Sequence, residues 1–176
     1  MQKMVATLRE CPARLVPTGQ EIVLPKDCFV TITQDLGGNY TIVHNGNMAR
    51  VDGIDADALG FERFEFNFET PSDGKISDEQ VWEALRSIYD PEIPVDLVNL
   101  GLVYGIEIDQ ENNSVQVNMT LTAPGCGMGP VLVTDVEYRL KEVPFVKNVT
   151  VELIFDPPWH RDMMSDEAQL ETGMFF

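Results

Sequence analysis

Between Ser77 and Phe155 the spacing of apolar residues changes period repeatedly, and that pattern leaves the chain few ways to fold. Val81, Trp82, Leu85, Ile88 and Tyr89 recur at the interval of an amphipathic helix, with Ser77 and Gln80 as a capping box and Asp90-Pro91 as its stop. Leu102, Tyr104, Ile106 and Ile108 then alternate, Asn112-Asn113 turns the chain, and Val115, Val117, Met119 and Leu121 alternate again, as in a β-hairpin. Leu132, Val136, Leu140 and Val143 return to helical spacing before Val149, Val151, Leu153 and Phe155 alternate once more. The order is α-β-β-α-β. Because each strand alternates, one face of a three-stranded sheet is expected to bury against the two helices.

The first part of the chain has a different texture. Glu21–Leu24, Cys28–Thr33, Asn39–His44 and Met48–Val51 are short β-like runs, with Asn45-Gly46 a favoured hairpin turn and Gly37-Gly38 a second tight connection. An acidic stretch containing Phe64, Phe66 and Phe68 follows, and the alternation of those rings predicts a strand, either docking the two parts of the chain or presenting a strip to a partner. The expected class is therefore α+β: a small all-β domain over residues 1–72 and an α-β-β-α-β domain over 73–176.

Charge and cysteine usage remove whole classes of function. A formal charge of −17 over 176 residues repels nucleic-acid phosphates and anionic membrane surfaces. No stretch approaches the about 20 apolar residues that cross a bilayer, and the N-terminus lacks an apolar signal core. Cys11, Cys28 and Cys126 are odd in number and far apart, which argues against a disulfide framework and for a reducing cytoplasm.

The most reactive-looking element is the elbow Thr120-Leu-Thr-Ala-Pro-Gly-Cys126-Gly-Met-Gly-Pro130. It lies between an alternating strand and a helix pattern, so the helix dipole and first-turn N–H groups would stabilise the Cys126 thiolate. The alternative is a small residue packed in a tight turn. Two further polar clusters leave element ends, Asp90 to Gly101 and Asp156 to Ser165, and strand ends can converge on one edge of a sheet. The thiol could then face Glu92, Asp96 or His160, which offer ligand types that iron or zinc accepts. Against this, Asp90 before proline is a common helix exit, Glu92 and Asp96 read as solvated turn residues, and His160 and His44 read as surface histidines.

The run Asp90-Pro-Glu-Ile-Pro-Val-Asp-Leu-Val-Asn-Leu-Gly-Leu-Val-Tyr104, with Met119-Thr-Leu-Thr-Ala-Pro-Gly-Cys126, Phe155-Asp-Pro-Pro-Trp159 and Met164-Ser-Asp-Glu-Ala168, resembles the metal–sulfur cluster biosynthesis domain. That family is shared by SufT, PaaD-like proteins and eukaryotic cytosolic iron–sulfur targeting factors. The resemblance covers about Ser77 to Gly173, and Ile32 to Tyr40 with Asp57-Ala-Leu-Gly60 looks like the long SufT form. It implies a non-enzymatic accessory factor in iron–sulfur protein maturation that meets cluster scaffolds and apo-clients. Cys126 matches the family's reactive cysteine, and Asp90, Glu92, Thr120 and Thr122 take supporting places. Since an iron–sulfur cluster normally takes four thiolate-type ligands, one well-placed sulfur implies no tightly bound cofactor, but transient contact with a cluster or iron, or a homodimer sharing one. Cys126 as metal ligand, with His160 beside it, belongs to that reading. Two rivals stand beside it: a thiol enzyme with Cys126 as nucleophile, and a protein–protein adaptor in which the cysteine is incidental.

Overall fold

A computed structural model describes residues 2–91, 93–122 and 129–173. The chain divides into two compact units, one built mainly on residues 1–66 and the other mainly on 67–122 and 133–173.

The first unit is a six-stranded antiparallel sheet. Its strands are β1 (Lys3–Ala6), β2 (Cys11–Leu15), β3 (Glu21–Leu24), β4 (Phe29–Leu36), β5 (Asn39–His44) and β6 (Asn47–Asp52), in the spatial order β1-β4-β5-β6-β2-β3. Asn45 and Gly46 both sit at positive φ, 49° and 80°, the geometry that lets a two-residue turn follow the strand twist. Val30, Ile32, Ile42, Ala49 and Val51 form the buried face, closed by Ala56, Ala58 and Leu59 from the 3₁₀ segment Gly53–Leu59. Arg50 is wholly buried on a strand interior, and its Nη1 donates to Gln34 Oε1 at 2.8 Å and to Thr41 Oγ1 at 2.6 Å.

Sequence periodicity misses β1 and β2. Pro12 and Arg14 interrupt the β-branched signal of β2, yet Pro12 is tolerated because β2 pairs with β6 only at Arg14 and Leu15, so no ladder hydrogen bond to β6 is asked of it. The expected strand over Phe64, Phe66 and Phe68 does not form. Phe64 donates its N–H to the Gly53 carbonyl at 2.8 Å and lays its ring on Gly38, while Phe66 stands edge-on to it at 5.2 Å. Those rings serve local packing, so backbone pairing loses. His44 also departs from the expected solvated histidine: its Nδ1 lies 3.2 Å from Cys28 Sγ and 3.1 Å from the Phe29 carbonyl.

The second unit follows the predicted α-β-β-α-β order, with elements α1 (Asp78–Leu85), β7 (Val103–Asp109), β8 (Ser114–Met119), α2 (Gly129–Leu140) and β9 (Asn148–Leu153), and adds α3 (Asp166–Thr172). β8 is central, antiparallel to β7 and parallel to β9. Val115, Val117 and Met119 on its inward face are fully buried, as are Val81 and Leu85 of α1 and Val136 and Leu140 of α2. This is the amphipathic sheet on helices that the alternation requires. Ser77 caps α1 by accepting the Gln80 N–H at 3.3 Å, but the Gln80 side chain turns away to donate to the Glu69 carbonyl at 2.8 Å, so only half of the capping box closes. The helix also ends at Leu85, earlier than the apolar stripe suggests. Ile88 and Tyr89 are drawn into extended pairing instead, with the Ile88 carbonyl accepting the Leu97 N–H at 2.9 Å and Tyr89 bridged to Asp96.

Candidate functional site

The Asp90 to Leu102 segment is organised by carboxylates that hold backbone. Asp90 accepts the Ile93 N–H at 3.1 Å. Asp96 does more: Oδ1 accepts the N–H groups of Val98 and Asn99 at 3.1 and 3.0 Å, and Oδ2 accepts the Asn99 amide at 2.6 Å. It therefore caps the single helical turn Leu97–Leu100, in the manner of an N-cap residue. Gly101, at φ 77°, ends that turn in the left-handed conformation, and the Leu102 N–H returns to the Leu97 carbonyl at 3.0 Å. Burial, reinforced by the nearby Asp96 charge, pushes the Tyr89 phenol above its ordinary pKa.

The segment after β9 is strapped to this turn. Trp159 Nε1 donates to the Leu100 carbonyl at 2.8 Å, Tyr104 donates its hydroxyl to the Pro157 carbonyl at 2.6 Å, and the Ser165 N–H reaches the Asn99 carbonyl at 2.9 Å. The Met163 backbone rests directly on Gly101, where a Cβ would meet its carbonyl group. Ser165 then caps α3 by accepting the Ala168 N–H at 3.1 Å.

Between turn, strap and α3 lies a groove of about 440 Å3. Ile93, Leu100, Trp159 and Met164 supply apolar walls. Thr122, leaving the end of β8, and Thr172 of α3 contribute to the lining, with His160 and Arg161 completing it. Residues of the Asp90–Gly101 and Asp156–Ser165 clusters thus meet at one place, beside Thr122 at the start of the third. The reason is topological: the chain passes this end of the sheet three times, before β7, after β8 and after β9.

Cys126 and Glu92 lie outside the described residues. The flanks of Cys126 are defined: Thr122 lies on the groove and α2 starts at Gly129. Thr120 is fully buried and donates its N–H to the Leu102 carbonyl at 2.7 Å, so it pins the strand end and does not face the groove's solvent. Asp90 and Asp96 are buried, Asp96 where a solvated turn residue was expected, because their oxygens accept peptide N–H groups. His160 lies on the groove, exposed, with Nδ1 at 3.7 Å from Asp162. Among the described residues no group of three His, Cys, Asp or Glu side chains is placed to hold a metal ion. Cys11 and Cys28 are buried in the first unit, and burial pushes the Cys11 thiol up to about 11.

Sequence reasoning misses the apolar walls of the groove. The signal that could have revealed them is a large indole beside two prolines in a segment without periodicity, since such a ring has to find its burial in another part of the chain.

Comparison with known proteins draws on this same region. Residues 78–153 match a family profile described as "iron–sulfur cluster assembly protein". A "Fe-S protein maturation auxiliary factor" from Porphyromonas gingivalis is 43% identical over 97 residues, 55% of this chain and 91% of that protein. The "Fe-S protein maturation auxiliary factor SufT" of Staphylococcus aureus is 42% identical over 87 residues, 49% of this chain and 98% of that one. Among solved structures, a domain of unknown function (DUF59) from Bacillus anthracis superposes with a TM-score of 0.52 at 38% identity, covering 56% of this chain and 92% of that one.

Proposed function

The chain belongs to the iron–sulfur cluster assembly protein family, and on that premise we propose that it is a maturation auxiliary factor that receives a cluster, as cargo, from a scaffold and passes it to apo-client proteins. The observation that supports this reading best is the convergence of the Asp96 turn, the Thr122 strand end and the Trp159 strap on one groove, immediately before the loop that carries Cys126. Such a groove lets a partner be held by a residue four positions from Cys126 in the sequence.

In this reading Cys126 is the working sulfur. Of three cysteines, Cys11 and Cys28 are buried in the first unit. One remaining thiol falls short of the four thiolate-type ligands a resident cluster takes, so contact with the cargo is transient. The step is ligand exchange at one iron position: the Cys126 proton passes to solvent as its sulfur displaces a scaffold thiolate, a client thiolate then displaces Cys126, and the remaining iron positions pass directly from scaffold thiolates to client thiolates. No electron is transferred, and the protein acts as a carrier with no turnover chemistry of its own. Asp90, Asp96 and Thr120 support the site by holding the groove's backbone.

The test is Cys126→Ser in cells that lack the native copy. The variant should melt like the parent yet lower the activity of iron–sulfur enzymes; unchanged enzyme activity would remove the cysteine from the mechanism. Anaerobic iron and sulfide analysis of the purified protein, read with its visible spectrum, separates transient from resident cargo.

A further inference from the structure

We infer that the groove lined by Ile93, Thr122 and Trp159 takes an extended, basic and apolar segment of a partner protein, one that inserts aliphatic or aromatic side chains between Trp159 and Ile93 and sets Lys or Arg against the carboxylates of the strap and α3. This rests on the reading of the chain as a factor that meets scaffolds and clients, and it names the chemistry of what is met. Three observations carry it. First, the walls are apolar while the groove is open, and Leu170 on adjoining α3 is 67% exposed, so apolar surface is offered to solvent where a folded monomer gains nothing from it. Second, Arg161 is a charged side chain on the lining, while the strap and α3 around it, residues 156–173, hold five exposed carboxylates, Asp156, Asp162, Asp166, Glu167 and Glu171, so the segments flanking the groove are net acidic. Third, two of the segments that line the groove are tied to each other by the Trp159 indole N–H to the Leu100 carbonyl and the Ser165 N–H to the Asn99 carbonyl, so those walls stand before a partner arrives and little ordering accompanies binding. The two surface properties together select the partner. Charge alone would attract any cation, and the apolar walls alone would accept any greasy segment, including a second copy of this chain; a second copy brings its own excess of negative charge and is disfavoured.

The experiment uses the full chain in a Trp82→Phe background, which leaves Trp159 as the sole indole of the two in the sequence. Its emission is titrated with three capped peptides: Lys-Leu-Lys-Phe-Lys-Leu-Lys, its Glu-for-Lys counterpart, and its Ser-for-Leu/Phe counterpart. The first should shift Trp159 emission saturably, and the other two should bind at least roughly tenfold more weakly, as expected when several exposed ion pairs or the apolar anchors are lost. Glu167→Lys with Glu171→Lys, both on exposed helix positions, should weaken the first peptide and strengthen the acidic one. Equal binding of the basic and acidic peptides, equal binding of the Ser peptide, no change in Trp159 emission, or indifference to the charge reversal would each overturn the proposal. So would a dimer in sedimentation that the peptide dissociates, since the groove would then belong to a second copy. Peptide binding involves no iron and should be the same in Cys126→Ser. Loss of client activation with peptide binding intact therefore tests the sulfur, and loss of peptide binding with client activation intact tests the groove.

Discussion

Replacing Gly101 by alanine tests how the strap is seated. Gly101 sits at φ 77°, and a Cβ there would run into the Met163 carbonyl, with its carbon at 2.8 Å and the Met163 Cβ at 2.9 Å. Two costs follow. An L-residue in the left-handed region loses about 1–2 kcal/mol, of which about 0.5–1 kcal/mol returns through the stiffer unfolded chain. The clash is with backbone that cannot rotate away, so the strap has to recede by about 0.5 Å, at an overpacking cost of about 1–3 kcal/mol. The sum is roughly 2–4 kcal/mol, or about 5–15 °C in melting temperature at roughly 2–4 °C per kcal/mol for a chain of this size. Gly74 is the internal control: its φ is 70° but nothing lies within 4 Å of an added Cβ. Gly74→Ala should therefore lose only about 1 kcal/mol. Differential scanning calorimetry of both variants, with Trp159 emission read at 25 °C as the strap's reporter, separates the two terms. If Gly101→Ala melts within a degree or two of Gly74→Ala and leaves the indole emission unchanged, Met163 is not seated on Gly101 and the groove's geometry is wrong.

Asp96→Ala removes a carboxylate that accepts three N–H groups, and should destabilise the second unit by about 3 kcal/mol in urea titration. A variant of full stability but altered iron uptake would return Asp96 to the ligand role. Ser77→Ala should lose about 1 kcal/mol of stability, and a variant melting with the parent would mean that the cap is idle. The Cys11 thiol, raised to about 11 by burial, keeps its proton in the folded state while the unfolded chain releases it from about pH 9 upward. The first unit should accordingly lose stability between those values, and Cys11→Ala should flatten that part of the urea-midpoint profile; an unchanged slope would mean the thiol is not the group responsible.

Much of the second unit is legible without coordinates because its elements bury one face each. Val115, Val117 and Met119 alternate since every second side chain of β8 points into the core, and Leu132, Val136 and Leu140 recur at helical spacing for the same reason on α2. Periodicity is a local record of burial. It fails where burial is not one-sided: β2 buries Arg14 on the face opposite Cys11 and Ala13, and β6 buries Arg50 between Ala49 and Val51, positions that a hydropathy pattern assigns to solvent. It also overstates the phenylalanine stretch, where alternation looks like a strand but Phe64 is captured by Gly38 and Gly53.

What the amino-acid sequence determined by itself is the α-β-β-α-β succession, which depends on residues close together along the chain, the charge of −17, which depends on composition, and the family, which depends on short motifs in order. Tertiary structure alone decided that Asp90 and Asp96 hold peptide N–H groups, and that Trp159 reaches back 59 residues to the Leu100 carbonyl. The groove is likewise a product of three strand ends meeting. The physical reason is range: periodicity and capping act over a few residues, whereas a site made by distant loops takes its shape from sheet order and hydrogen bonds that no local pattern encodes.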